Sequence, residues 1–151
     1  MKKSQALKLY LELGKNLKSF TGELIKRGFT KIDQGAYKLV YSKNRLSYVV
    51  KTARAGNDEF APIPQEIKKY YLKPFFCDEQ IVIQKKANTK NEASERTFNI
   101  IKKELGYWDC ERFDISEFNC GEINNKPVLF DFAEIWNTKI HSMKKKTNGR
   151  K

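Results

Sequence analysis

Residues 112–134 read RFDISEFNCGEINNKPVLFDFAE. Asp114 and Asn119 stand five positions apart, and Asp131 follows twelve later, at the end of the apolar run PVLF. A lone carboxylate among apolar neighbours is costly to bury. Two chemistries account for such placement. One is turn chemistry, in which Asp caps a loop and Asn makes an Asx turn. The other is a magnesium site built from hard oxygen ligands. Asn124-Asn125 predicts a turn between residues 112–121, read as a loop, and the strand PVLF, so a hairpin over 120–130 brings the end of that strand back toward Asn119.

Working outward, NEASERTFNIIKKELG (91–106) has the helical period, with Phe98, Ile101 and Leu105 on one face, Asn91 or Ser94 as N-cap and Gly106 as the stop. EQIVIQKKA (79–87) predicts a short strand entering a polar segment. PQEIKKYYL (64–72) predicts a helix opening at Pro64, with Ile67, Tyr70 and Tyr71 at helical spacing. FTKIDQGAYKLVYS, a turn at Lys43-Asn44-Arg45, and LSYVVKT predict a hairpin in which Tyr37, Tyr41 and Tyr48 pack on strands. ARAGND follows as a loop. Residues 4–27 carry Leu7, Tyr10, Leu11, Leu13, Leu17, Phe20, Leu24 and Ile25 at helical spacing, with Gly14 and Gly22 as breaks and Gly28 as a stop. DFAEIWNTKIHSM predicts a short last helix. Trp108 and Trp136 read as packing residues and His141 as a solvated one. A strand-rich part, a polar hinge and a helix-rich part give an α+β chain in two lobes.

In order and spacing, GAYKLVY at 35–41, YVVK ending at Lys51, Glu66, DISEFN at 114–119 and DFA at 131–133 resemble the protein-kinase-like fold, including compact forms encoded by bacteriophages and bacteria. The resemblance covers about residues 32–135. It implies a minimal two-lobed protein-kinase-like fold: a helical N-terminal extension over 1–28, a β-rich lobe over 29–86, a reduced helical C-lobe over 87–140 and a basic tail over 141–151. It implies ATP and magnesium as cofactors. Lys51 would meet the phosphates and Glu66 would hold Lys51. Asp114 would take the acceptor's proton, and Asn119 and Asp131 would bind the metal. Gly35, Tyr37, Val40 and Gln84 join the nucleotide-contacting set, and Asn119 also belongs to the catalytic set.

The pattern departs from the family in places. Asp33 and Lys38 stand where further glycines of the phosphate loop are expected, Arg112-Phe113-Asp114 lacks the family's histidine, and Ala133 replaces the last glycine of D-F-G. Eighteen residues follow Ala133, too few for the usual activation segment, so control by activation-loop phosphorylation is not expected.

Composition bounds the partners. The chain has 151 residues, 40% of them hydrophobic and 13% aromatic, which suits one globular domain and excludes wholesale disorder. No run approaches the length of a membrane span. The N-terminus reads as an amphipathic helix and not a signal peptide. Three cysteines at unpatterned spacing fit reduced thiols in a cytoplasmic protein, with neither a zinc site nor a disulfide framework. The net charge of +12, with KIHSMKKKTNGRK at the end, favours an anionic partner. The expected activity is an ATP- and magnesium-dependent phosphotransferase acting on a protein hydroxyl. The alternatives are a small-molecule kinase, and a non-catalytic pseudokinase or basic protein that binds nucleic acid or an acidic partner.

Overall fold

In the computed structural model, which describes residues 1–34, 38–53, 64–113 and 115–130, the chain divides into two units: Met1–Asn57 with Pro74–Lys86, and Asp58–Lys73 with Ala87–Lys151. The first unit begins with two helices, α1 (Lys3–Glu12) and α2 (Leu17–Lys26). Gly14 and Lys15 both take positive φ between them, and the Asn16 side chain accepts from the Ser19 N–H at 2.9 Å to cap α2. Gly28, at φ 92°, ends α2, since its missing Cβ permits the left-handed conformation. Gly22 is no break: it lies inside α2.

Five strands follow: β1 (Thr30–Gln34), β2 (Lys38–Ser42), β3 (Tyr48–Ala53), β4 (Phe76–Cys77) and β5 (Ile81–Lys85). They form one antiparallel sheet in the order β1-β2-β3-β5-β4. The expected single hairpin is thus part of a larger, five-stranded sheet. Its first expected strand is two, with Gln34 paired to Lys38. The turn at 43–46 forms where expected, closed by the Leu46 N–H to the Lys43 carbonyl, with Arg45 at φ 72°. The short β4 turns into β5 at Asp78, whose Oδ1 accepts from the N–H groups of Gln80 and Ile81, both at 2.8 Å.

Side chains alternate across the sheet. Tyr41, Tyr48, Val50, Ile81 and Ile83 share one face and pack with Ala6, Tyr10, Phe20, Leu24 and Phe29 in a single core. Burying each large apolar side chain there contributes about 1.5–3 kcal/mol, which two short helices of modest propensity need. Tyr10 fixes α1 in place: its hydroxyl donates to Asp78 Oδ2 at 2.7 Å and accepts from Gln80 Nε2 at 2.7 Å.

The second unit holds a 3-10 helix (Gln65–Tyr70), α3 (Asn91–Leu105), α4 (Tyr107–Arg112), a 3-10 turn (Glu117–Asn119) and the hairpin β6 (Cys120–Ile123) and β7 (Lys126–Leu129). Its core gathers Ile67, Ile101, Cys110, Ile115, Cys120 and Leu129, with Phe98 and Leu105 packed against it as the helical period predicts. Residues 65–70 form a 3-10 helix because the chain is soon committed elsewhere. Tyr71 bridges to Leu129, and the Leu72 N–H donates to the Leu129 carbonyl at 2.8 Å. Neither Asn91 nor Ser94 caps α3. Lys90 is the N-cap residue, with no side-chain cap bond, and both predicted caps lie inside the helix. Gly106 stops α3 at φ 96°, and α4 follows where a loop was expected to begin soon after. Trp108 does not pack in a core: it is 77% exposed on α4 and stacks edge-on with Tyr107.

No helix among the described residues is long and apolar enough to cross a membrane.

Candidate functional site

Three of the sequence-predicted residues come together on the sheet of the first unit. Lys51, on β3, stands opposite Val40 on β2 and Val82 on β5, so these three side chains form one row across three strands. Gln84 pairs with Val49, the adjacent row on the same face. This is the face opposite the helix-covered core, because Lys51 and Val49 alternate with Tyr48, Val50 and Thr52. All of the row is buried, Lys51 to 3% exposure. An ammonium at such depth is costly unless a negative or polar group holds it, which makes the position chemically special.

Asn119 sits in the second unit, at the junction of the 3-10 turn and β6. Ser116 and Asn119 form a capping box. The Ser116 hydroxyl accepts from the Phe118 N–H at 3.3 Å, and Asn119 Oδ1 accepts from the Ser116 N–H at 3.2 Å and its hydroxyl at 3.4 Å. The expected Asx turn is thus replaced by a capping box: the Asn119 side chain reaches back to Ser116. It does not exhaust the side chain. The amide Nδ2 donates to the Phe130 carbonyl at 3.5 Å, and the Phe130 N–H donates to the Asn119 carbonyl at 2.9 Å. The hairpin produces this closure. Asn124 and Asn125 both take positive φ, 51° and 64°, the mirror-image turn that matches strand twist. The register then puts Cys120 opposite Leu129. Asn119 thus meets the residue that precedes Asp131 in the sequence.

Glu66 is exposed, on the 3-10 helix whose Ile67 is buried in the core. Gly35, Tyr37, Asp114 and Asp131, together with Trp136, His141 and the basic tail, lie outside the described residues.

A second set of residues around Asn119 escaped the sequence reading. The Asn88 N–H donates to the Glu122 carbonyl at 2.7 Å and its carbonyl accepts from the Glu122 N–H at 3.0 Å, so β6 is paired on both edges. From α3, the buried Thr97 hydroxyl donates to the Gly121 carbonyl at 2.7 Å. Arg96 grips the Glu122 carboxylate with Nε at 3.0 Å and Nη2 at 2.7 Å. Each partner holds the other charged: Arg96 lowers the Glu122 pKa, and Glu122 raises that of Arg96. The signal for Glu122 was a carboxylate in the otherwise apolar strand CGEI; nothing local in the sequence points to Arg96 as its partner. Cys120, the first residue of β6, and Cys110 on α4 are free buried thiols, and burial pushes the Cys120 thiol up to about 12.

Compared with known proteins, the chain finds no significant match among family models, curated proteins or solved structures.

Proposed function

We propose that the chain is an ATP- and magnesium-dependent phosphotransferase of protein-kinase-like architecture, acting on a protein hydroxyl. The observation that carries this reading is the closure of Asn119 on Phe130. It draws the last residue of D-x-x-x-x-N to the residue before D-F-A, as a shared metal site requires. A second support is Lys51, buried on the third strand of an antiparallel sheet, where kinases carry their phosphate-contacting lysine.

The residues divide the work. Lys51 binds the α- and β-phosphates, with Val40 and Gln84 beside it against the nucleotide and Glu66 as the carboxylate assigned to orient it. Gly35 and Tyr37 belong to the strand turn assigned to cover the phosphates. Asn119 and Asp131 hold magnesium. The donor chemistry at Asn119 fits: its Oδ1 is a hard oxygen with two lone pairs, and the long Ser116 hydroxyl contact can yield one of them. Bound there, magnesium would offset the charge that builds during transfer. Asp114 accepts the proton of the acceptor hydroxyl as that oxygen bonds to the γ-phosphorus, and the bond to the bridging oxygen breaks to release ADP.

Incubation with labelled ATP tests this. The wild-type chain is expected to label itself or a protein acceptor, while Asp114→Ala and Asp131→Ala lose labelling. Equal labelling by all three contradicts the mechanism. Transfer to free sugars instead of protein identifies a small-molecule kinase, and nucleotide binding with no transfer identifies a non-catalytic protein.

A further inference from the structure

Charge is divided unequally between the two units. The first, Met1–Asn57 with Pro74–Lys86, holds 15 Lys and Arg against five Asp and Glu, a net +10 of the chain's +12. The second holds 15 against 13, and six of its cations fall in residues 139–151. The basic character therefore belongs chiefly to the five-stranded sheet and its two helices, not to the tail.

Within the first unit, cations gather at one end of the sheet. The turn over 43–46 joins β2 to β3 there, and Tyr48, the first residue of β3, pairs with Lys85, the last of β5. The Lys86 N–H donates to the Ser47 carbonyl at 2.7 Å. The end of α2 reaches the same place. Lys43 Nζ donates to the Arg27 carbonyl at 2.8 Å, and Lys86 Nζ donates to the Lys43 carbonyl at 3.0 Å. Gly28 leaves room for this crossing, since a Cβ there would stand 3.4 Å from Lys43 Cε. Lys26, Arg27, Lys43, Arg45, Lys85 and Lys86 thus share one end of the unit. The carboxylate beside them is Glu23, already paired with Lys26 at 3.6 Å and Arg27 at 3.7 Å. Among the described residues, no carboxylate pairs with Lys43, Arg45, Lys85 or Lys86. Clustered like charges repel and lower stability, so a cluster left without acids has its use in binding an anion. Lys43 and Lys86 each spend one of three ammonium donors on a carbonyl and keep two.

The surroundings of the cluster narrow the anion. The exposed large apolar residues of this unit are Leu11, Ile25, Ile32 and Phe75; residues 42–48 and 85–86 contribute none. A membrane-surface site needs apolar side chains to insert, and a single-strand site needs aromatic rings on which bases stack. An open cluster of cations with neither suits charges that repeat along a rigid surface, as the phosphates of a duplex do.

We propose that this end of the sheet is a docking surface for duplex nucleic acid, gripping phosphates without reading sequence. It does not rest on the phosphotransferase reading. β2 begins at Lys38, after the turn assigned to the nucleotide phosphates, and the cluster lies beyond its other end at Ser42.

The test sets the cluster against bulk charge. Binding of two short labelled DNA duplexes of unrelated sequence is followed by anisotropy across a salt series. The chains are wild type, Arg45→Gln/Lys85→Gln/Lys86→Gln and the tail variant Lys144→Gln/Lys145→Gln/Lys146→Gln, which loses the same charge. Wild type is expected to bind both duplexes alike. The cluster variant is expected to bind about tenfold more weakly or worse at low salt, with a salt slope lower by about 1 for each contact removed. The tail variant is expected to lose much less. Urea midpoints check folding; if the triple cluster variant fails to fold, Arg45→Gln/Lys85→Gln, which removes no described side-chain bond, carries the same test. Equal losses in the cluster and tail variants, or no duplex binding by wild type, overturn the inference. Tighter binding to phosphatidylserine vesicles or to polyglutamate than to the duplexes, at the same ionic strength, overturns it in favour of a membrane or an acidic protein.

Discussion

Asn119 and Phe130 exchange two hydrogen bonds, one between backbones at 2.9 Å and one from the Asn119 amide to the Phe130 carbonyl at 3.5 Å. The pair closes the base of a four-residue-strand hairpin, and the Asn119 side chain simultaneously completes a capping box with Ser116. One residue therefore serves a local fold element and a proposed metal site, and the two roles separate by mutation.

Ser116→Ala removes the cap hydroxyl and leaves Asn119. It is expected to cost about 1 kcal/mol in urea unfolding and to keep magnesium-dependent nucleotide binding. Asn119→Ala is expected to cost a similar amount and to lose the magnesium dependence. Loss of magnesium dependence in both variants would show that the box alone matters.

Two glycines make opposite predictions. At Gly121 an added Cβ meets a backbone oxygen at 2.7 Å, which only a shift of β6 or of residue 88 relieves. Gly121→Ala is expected to destabilise by about 1–3 kcal/mol. At Gly22, on the exposed side of α2, nothing lies within 4 Å, so Gly22→Ala is expected to stabilise by about 0.5–1 kcal/mol. Denaturant midpoints of the two variants check both signs.

These glycines also show what the sequence could convey. Gly14, Gly28 and Gly106 were legible because a positive φ at a helix end is a local demand, and so was the Asn124-Asn125 turn. Gly22 misled, since its helix is held by Phe20 and Leu24 in the core and tolerates a poor helix former. The two-residue β4 has too few residues for any period, and α4 is a single short helix with an exposed Trp108. For the candidate site, Lys51, Val40 and Gln84 were legible as strand residues, and the register puts them on one face. The clamp of Asn88, Arg96, Thr97 and Gly121 was not, because each contact spans more than twenty residues.

Tyr10 anchors α1 through a bond that depends on its proton. Burial first, then the hydrogen bond to Asp78, raises its pKa well above the usual tyrosine value. A raised pKa means the folded chain keeps a proton that the unfolded chain releases near pH 10. Stability is thus full below about pH 10 and falls as pH rises beyond it. Tyr10→Phe is expected to cost about 1–3 kcal/mol at neutral pH, from the unsatisfied Asp78 and Gln80 groups, and to weaken the alkaline decline. An unchanged alkaline limb in this variant would assign the decline to other groups.

The cysteines predict a reactivity order. Cys110 and Cys120 are buried with thiol pKa values raised by burial, whereas Cys77 is partly exposed. Titration with a thiol-reactive disulfide is expected to modify Cys77 alone in the folded chain, and all three cysteines in urea. Rapid reaction of a second thiol in the folded chain would mean that the hairpin's packed side opens readily.

The most direct test of the central claim is the melting temperature with ATP, with and without magnesium, for wild type, Asn119→Ala and Asp131→Ala. A ligand that binds only the folded chain at a hundred times its dissociation constant adds about 2.7 kcal/mol, enough for a clear upward shift. The account predicts a magnesium-dependent shift in wild type that both variants lose. No shift in wild type at millimolar ATP and magnesium, or a shift that both variants keep in full, would contradict it.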